Sequence, residues 1–337
     1  MIQGLYTVAE IAAMIEKGDT LLLAGDAALL SQLPKGKWIA GATSRFVESG
    51  KTLVSTREKI FVHNITDIAS DVKLKTYDTA TLPNIFDEAF DNGFSVLLLP
   101  VFVDVWKEYT TNCSNYSNFG NRPICGWVTV TNIYSEYERN DVSLVFSGET
   151  GMAYTDVGIA MHIALPEGKY AEVHAISPFK PDDGDVIIFE ENTQHIEYAL
   201  INGVRQNFRQ YMIDKQIDRS HKAHNVLAGD HGSGVLMNVT IHEDTEEKDQ
   251  GKYVTTGATV YKDVPYRFSK VDEDSYDHIK PFGGEIVYSF SCITNYARPD
   301  IFLKYLPMIN GPFAYGEIAY FLLNHATVYV TIGDISN

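Results

Sequence analysis

Residues 285–332 read EIVYSFSCITNYARPDIFLKYLPMINGPFAYGEIAYFLLNHATVYVTI, the stretch that says most about the class of the fold. It opens with a β-branched and aromatic run, residues 286–293, which reads as a buried strand. A helical-looking segment follows at 299–306, then the turn Asn310-Gly311-Pro312. Phe313-Ala314-Tyr315-Gly316-Glu317-Ile318 comes next, and residues 326–332 form a last strand. Gly316 before Glu317 places a carboxylate where the chain bends. Earlier in the chain a similar order occurs: the apolar run 94–102, a linker, then Asn121-Arg122-Pro123-Ile124-Cys125-Gly126. Duplication and chance both account for this echo. Duplication predicts that 94–102 and 286–293 are central strands in equivalent places.

Composition sets outer limits. With 337 residues, 45% of them apolar and 21% charged, the chain reads as globular and can bury a full core in one or two domains. A net charge of -17 without a dense Lys/Arg run argues against nucleic acid and anionic membranes as partners. The three cysteines Cys113, Cys125 and Cys292 include no CxxC pair, so no disulfide framework is expected. Neither a signal-peptide pattern nor 18 consecutive apolar residues is found, and a cytoplasmic protein is the expectation.

Between these limits strands alternate with helices. Thr7-Val8-Ala9-Glu10 is a capping-box pattern that opens a helix. Residues 82–92 read as helical with Pro83 in the first turn, and 94–102 as a central strand. Hairpin-type turns are expected at Pro166-Glu167-Gly168-Lys169, Pro181-Asp182-Asp183-Gly184 and Asn202-Gly203, the last a strong tight-turn signal. A helix is expected at 205–215, an exposed acidic loop at 243–251 and a helix at 271–280.

Three segments carry a family resemblance: Trp38-Ile39-Ala40-Gly41-Ala42-Thr43-Ser44, the strand–Asn-Gly-Val–helix junction near residue 202, and the C-terminal block with Phe290-Ser291-Cys292-Ile293, Gly316 to Tyr320 and Leu322-Leu323-Asn324. In these the chain resembles FIST domains, sensory ligand-binding modules, and an uncharacterised bacterial FIST-like family in particular. His325 stands where that family usually has Gln, and Ala40-Gly41-Ala42 replaces paired glycines. The resemblance implies an α/β fold of two pseudo-repeated lobes, residues 1–198 and 199–337, with mixed, largely antiparallel β-sheets and flanking helices. It also implies a non-catalytic sensor of a small polar metabolite such as an amino acid, signalling through a separate protein and needing no cofactor.

The bends hold the candidate site. Ligand contacts are expected from Gly41, Thr43, Ser44, Ser291, Cys292, Tyr315, Gly316 and Glu317, where small and polar residues interrupt apolar strands. Glu317 either meets a cationic or zwitterionic ligand or braces its own bend, since a lone buried carboxylate is costly. Tyr315, Tyr320 and Trp127 are candidate pocket walls. The alternative class is enzymatic. Cys292 with His325 would be a nucleophile and its base, although a buried cysteine is more often inert packing. His221, His224 and His231 would be the ligands of a metal-dependent variant.

Overall fold

The computed structural model describes residues 2–48, 52–129, 143–217, 226–230, 236–242, 253–271, 285–296 and 309–335. Among these, 27 strands stand against five α-helices and two single-turn 3-10 helices. The fold is therefore mainly β, with mixed and antiparallel sheets, and poorer in helix than an α/β reading suggests. The segment 82–92 shows why. Only Leu82–Asn84 is helical, as a 3-10 turn, and Ile85 and Phe86 then bury in a packed loop. Apolar spacing reported burial there, not a helix. The expected helix at 205–215 begins later, because Val204–Asn207 is a strand and the helix is Phe208–Asp214. The expected features at 243–251, 272–280 and 299–306 lie outside the described residues.

Three six-stranded sheets share one strand plan. The first runs Gln3–Tyr6, Ile60–Asn64, Leu21–Gly25, Trp38–Ala42, Val145–Ser147, Met152–Tyr154. The second runs Asp71–Tyr77, Gly158–Ala164, Gly93–Pro100, Ile124–Thr129, Gly316–Ala319, Phe321–Leu323. The third runs Lys169–Ile176, Thr327–Asp334, Glu285–Cys292, Gly311–Ala314, Arg45–Glu48, Thr52–Ser55. In each, the middle two strands are parallel and every other neighbour is antiparallel. The last two strands of each are a hairpin supplied by the segment that builds another sheet. The runs expected as central strands are Gly93–Pro100 and Glu285–Cys292, each beside a parallel partner.

Backbone geometry repeats as well. Gly126 and Gly311 lie at φ +153 and +149, and a Cβ on either would overlap the carbonyl oxygen of the parallel strand, Leu97 and Ser289 respectively. Only glycine fits such an approach. The next residues, Trp127 and Pro312, face Glu317 and Phe46 across the adjoining ladders. Glu317 thus occupies the place that a core phenylalanine holds in the third sheet.

A fourth, nine-stranded sheet is spliced between Lys169–Ile176 and Glu285–Cys292. Its ladders are antiparallel, and the hairpin Tyr198–Ile201/Val204–Asn207 turns on Asn202 and Gly203, at φ +48 and +82. Such a turn needs two left-handed residues, which Asn-Gly supplies. The lobe boundary expected after residue 198 falls inside a strand of this sheet, Tyr198–Ile201. The sheet docks on the rest of the chain through specific bonds. Tyr261 donates its hydroxyl to the Thr110 carbonyl at 2.7 Å, and Thr240 N–H reaches Asn324 Oδ1 at 3.1 Å. The groove along this junction is where polar side chains collect.

Candidate functional site

The bends expected to meet do meet, through the parallel ladder of the third sheet. Ser291 and Cys292 pair with Phe313 and Ala314, and Thr43 Oγ1 donates to the Phe313 carbonyl at 2.9 Å. Several of the expected contacts are occupied within the protein. Gly41 makes room for the Trp127 ring, which a Cβ would strike, and Ser291 Oγ is bonded to Thr327 Oγ1 at 3.0 Å. The Ser44 carbonyl accepts from Thr56 N–H at 2.9 Å, and Gly316 packs against Leu322. Trp127 is buried, its Nε1 donating to Tyr288 at 2.9 Å, so it forms no pocket wall. Tyr320 lines a separate groove with Phe119 and His174.

Cys292 and Glu317 form a distinct group with His325, expected from sequence beside Cys292, and with Thr294 and Thr240, which no motif marked. Thr294 Oγ1 donates to Cys292 Sγ at 3.1 Å and lies 2.9 Å from His325 Nδ1. His325 Nε2 lies 2.9 Å from Thr240 Oγ1. A hydroxyl has one proton. If Thr294 gives it to sulfur, His325 Nδ1 carries the proton of the second bond and Nε2 accepts from Thr240. The result is a chain Thr240–His325–Thr294–Cys292 that joins the fourth sheet to the third. His325 adopts φ +59, a left-handed conformation in which histidine is enriched among non-glycine residues.

Burial keeps Cys292 and Glu317 on the neutral side. Burial raises the Cys292 thiol pKa, and the adjacent Glu317 carboxyl raises it further. Glu317 is fully buried, and that burial holds its carboxyl pKa well above the usual range, against the opposing effects of Ala326 N–H and Cys292. Its Oε2 accepts from Ala326 N–H at 3.2 Å, while Oε1 has no hydrogen-bond partner among the described residues. A thiolate nucleophile needs the opposite arrangement, with an imidazole directly on sulfur and positive charge nearby. Here threonine separates the two, and the neighbour is a carboxyl group.

In front of this group opens a cleft of about 500 Å³, lined by Phe102, Val103, Asp104, Trp106, Lys107, Gln194, His195, His242, Thr255, Thr256, Gly257 and Tyr315. Its walls belong to the start of the Asp104–Asn112 helix, to the fourth sheet and to the Tyr315 bend. Two links tie it to the buried group. Tyr315 directly follows Ala314, the partner of Cys292 in the parallel ladder. A Cβ on Gly257 would sit 2.9 Å from both Asn324 Oδ1 and His242 Nε2, so this backbone is the thin partition between cleft and interior. Of the residues expected from sequence, only Tyr315 lines the cleft. Phe102 and Trp106, at the start of one helix, and the distant Gln194 and His242 carry no motif. Their single sequence signal was aromatic and polar content.

Among the described residues no three His, Cys, Asp or Glu side chains gather as a metal site, and His221, His224 and His231 lie outside them. No helix among those residues is long and apolar enough to cross a membrane. No curated protein matches the chain. The family whose pattern the sequence does follow spans residues 6–333, nearly the whole of the architecture above, and the chain belongs to it: the family of unknown function DUF6976.

Proposed function

We propose that the protein is a non-catalytic, small-molecule-binding sensor, taking a small polar metabolite in the cleft between the Asp104–Asn112 helix and the fourth sheet. The observation that carries this reading is the cleft itself. Its volume suits a metabolite, and aromatic rings and polar groups converge on it from three separate elements. The resemblance to FIST domains supports the sensory role, and passing the signal on falls to a separate protein in the cytoplasm. The neutral Cys292 group supports binding over nucleophilic chemistry.

The repeated strand plan belongs to the same reading. The duplication read from 94–102 and 286–293 is proposed here in a wider form, one ancestral unit present three times, with the fourth sheet inserted into the last copy. The insertion supplies half of the cleft, so ligand binding arose at the seam between old and added structure.

A thermal-shift screen of amino acids and related metabolites tests the binding role. Ligand binding to the native state alone adds RT ln(1 + [L]/Kd), about 2.7 kcal/mol at a hundredfold excess over Kd. A saturable rise in melting temperature, lost in Phe102→Ala and Tyr315→Ala, is expected. Failure of any metabolite to act, or a rise indifferent to both variants, rejects the cleft as the site.

A further inference from the structure

We propose that the cleft selects a planar organic anion, with its carboxylate on the N-terminus of the Asp104–Asn112 helix and its ring against Phe102, Trp106 and Tyr315. The inference rests on the small-molecule reading above and narrows it to one chemical class.

The helix begins without a cap. Val103 has no side chain able to accept, and the first helical bond is Lys107 N–H to the Val103 carbonyl at 3.0 Å. The amides of Asp104, Val105 and Trp106 therefore find no acceptor among the described residues. Unpaired amides at the positive end of a nine-residue helix form a site for an anionic oxygen.

A second observation is independent of the helix backbone. Trp106 lines the cleft and is only 6% exposed, yet its indole N–H has no hydrogen-bond partner among the described residues. Gln194, on the facing wall, buries an amide nitrogen that is likewise unpaired. Leaving a buried donor unmade is costly, and both orphaned groups in this lining are donors. An acceptor-rich ligand satisfies them, and a cation does not.

Charge and shape agree. In a chain of net charge -17, this lining balances its single acid, Asp104, with Lys107, and His195 and His242 add imidazole nitrogens, burial lowering the pKa of His242. Phe102 sits at φ +60 and is 69% exposed, its ring centre 5.5 Å from Trp106 and 5.4 Å from Tyr315. A bulky residue held in that conformation with its ring in water points to a function at the site. A flat ring bound against it completes the aromatic wall. The cationic or zwitterionic ligand expected from Glu317 required a negative charge there, and burial keeps that carboxyl protonated.

Benzoate, benzamide and benzylamine share a ring and differ in charge, so titration calorimetry with the three isolates the headgroup. Benzoate is expected to bind best and benzylamine worst. Trp106→Phe keeps a ring, removes the N–H and should weaken benzoate about tenfold. Asp104→Asn should tighten it about threefold, as expected for removal of one exposed like charge. Phe102→Ala should weaken all three probes, and melting curves confirm that each variant is folded. Benzylamine binding as well as benzoate overturns the proposal. So does benzoate affinity indifferent to both Trp106→Phe and Asp104→Asn, or absent at millimolar concentration. A cationic metabolite that needs Phe102 and Tyr315 defeats the anion proposal alone, whereas a cleft that binds no small molecule defeats the sensor reading with it.

Discussion

A carboxyl group with one oxygen on a backbone amide and the other unpaired is stable in a core only while it keeps its proton. Glu317 is in that state, whereas in the unfolded chain it ionises near its ordinary value of 4.5. Folding then takes up a proton above that pH. Because the folded pKa is raised, this group's stabilisation is complete below pH 4.5 and declines as pH rises toward the folded value, by ~1.4 kcal/mol per pH unit. Glu317→Gln preserves shape and neutrality and removes the proton uptake. Denaturant melts should therefore show the variant no more stable than the parent at pH 5 and more stable at pH 8. Parallel pH curves for the two proteins would show that Glu317 is ionised in the fold. The identity of this residue as the one to watch was legible in sequence, because a glutamate in Tyr-Gly-Glu-Ile-Ala stands alone among apolar neighbours. Its protonation was not, since that depends on Cys292 and on a core assembled from several sheets.

At the level of elements, the local signals were the most readable. The capping box at Thr7 is present, with Glu10 N–H on the Thr7 hydroxyl at 3.4 Å and Thr7 N–H on the Glu10 carboxylate at 2.8 Å. The Asn202-Gly203 turn and the two long apolar runs also took the forms their residues dictate. Helices were overstated because a buried loop such as 85–89 shows apolar residues at similar spacing. The cleft was out of reach for another reason: its walls are joined by contacts between residues more than a hundred positions apart, and no local pattern encodes them. Gly126 gives the element-scale prediction. Gly126→Ala forces a Cβ onto the Leu97 carbonyl at φ +153 and should cost roughly 3 kcal/mol or more. Gly168→Ala, also left-handed at φ +80 but in open space, should cost only about 1–2 kcal/mol of backbone strain. Equal losses in urea melts would mean that the close approach of strands at Gly126 is relaxed in solution.

Across the whole molecule, acid should act through two interior histidines. His162 joins a hydrogen-bonded run in which Tyr77 donates to Glu88 at 2.6 Å, so His162 Nε2 donates to Tyr77 at 2.7 Å and Nδ1 accepts from Ser95 at 2.7 Å. Burial lowers its pKa from 6.5 to about 4, with Glu88 opposing and Lys73 and Lys75 assisting. His63, between the first and third sheets, is lowered to about 3 by burial, against the Asn310 carbonyl. In the unfolded chain both take a proton near pH 6.5. Their stabilisation is therefore present above pH 6.5 and is lost as pH falls through the folded values, on the order of 3 kcal/mol for His162 alone. Set against Glu317, which loses stability as pH rises, this places the maximum near pH 6.5. A pH series of urea melts checks it, and a plateau running unbroken down to pH 4.5 would show that the histidines are solvated.

The exchange of hairpins among the three similar sheets has a bearing on how the chain comes off the ribosome. Thr43 and the Phe313 carbonyl it bonds are 270 residues apart, and the hairpin beginning at Arg45 completes a sheet whose central strands are translated last. Until then that hairpin presents an unpaired edge, the kind of surface on which nascent chains adhere to one another. Pairing over such separations also makes folding slow, because loop closure is paid before the contacts repay it. The native arrangement closes as a ring, each unit lending a hairpin and borrowing another, so no segment can finish before all three are made. A chain built this way keeps that edge unpaired for the interval between its first strand and its last.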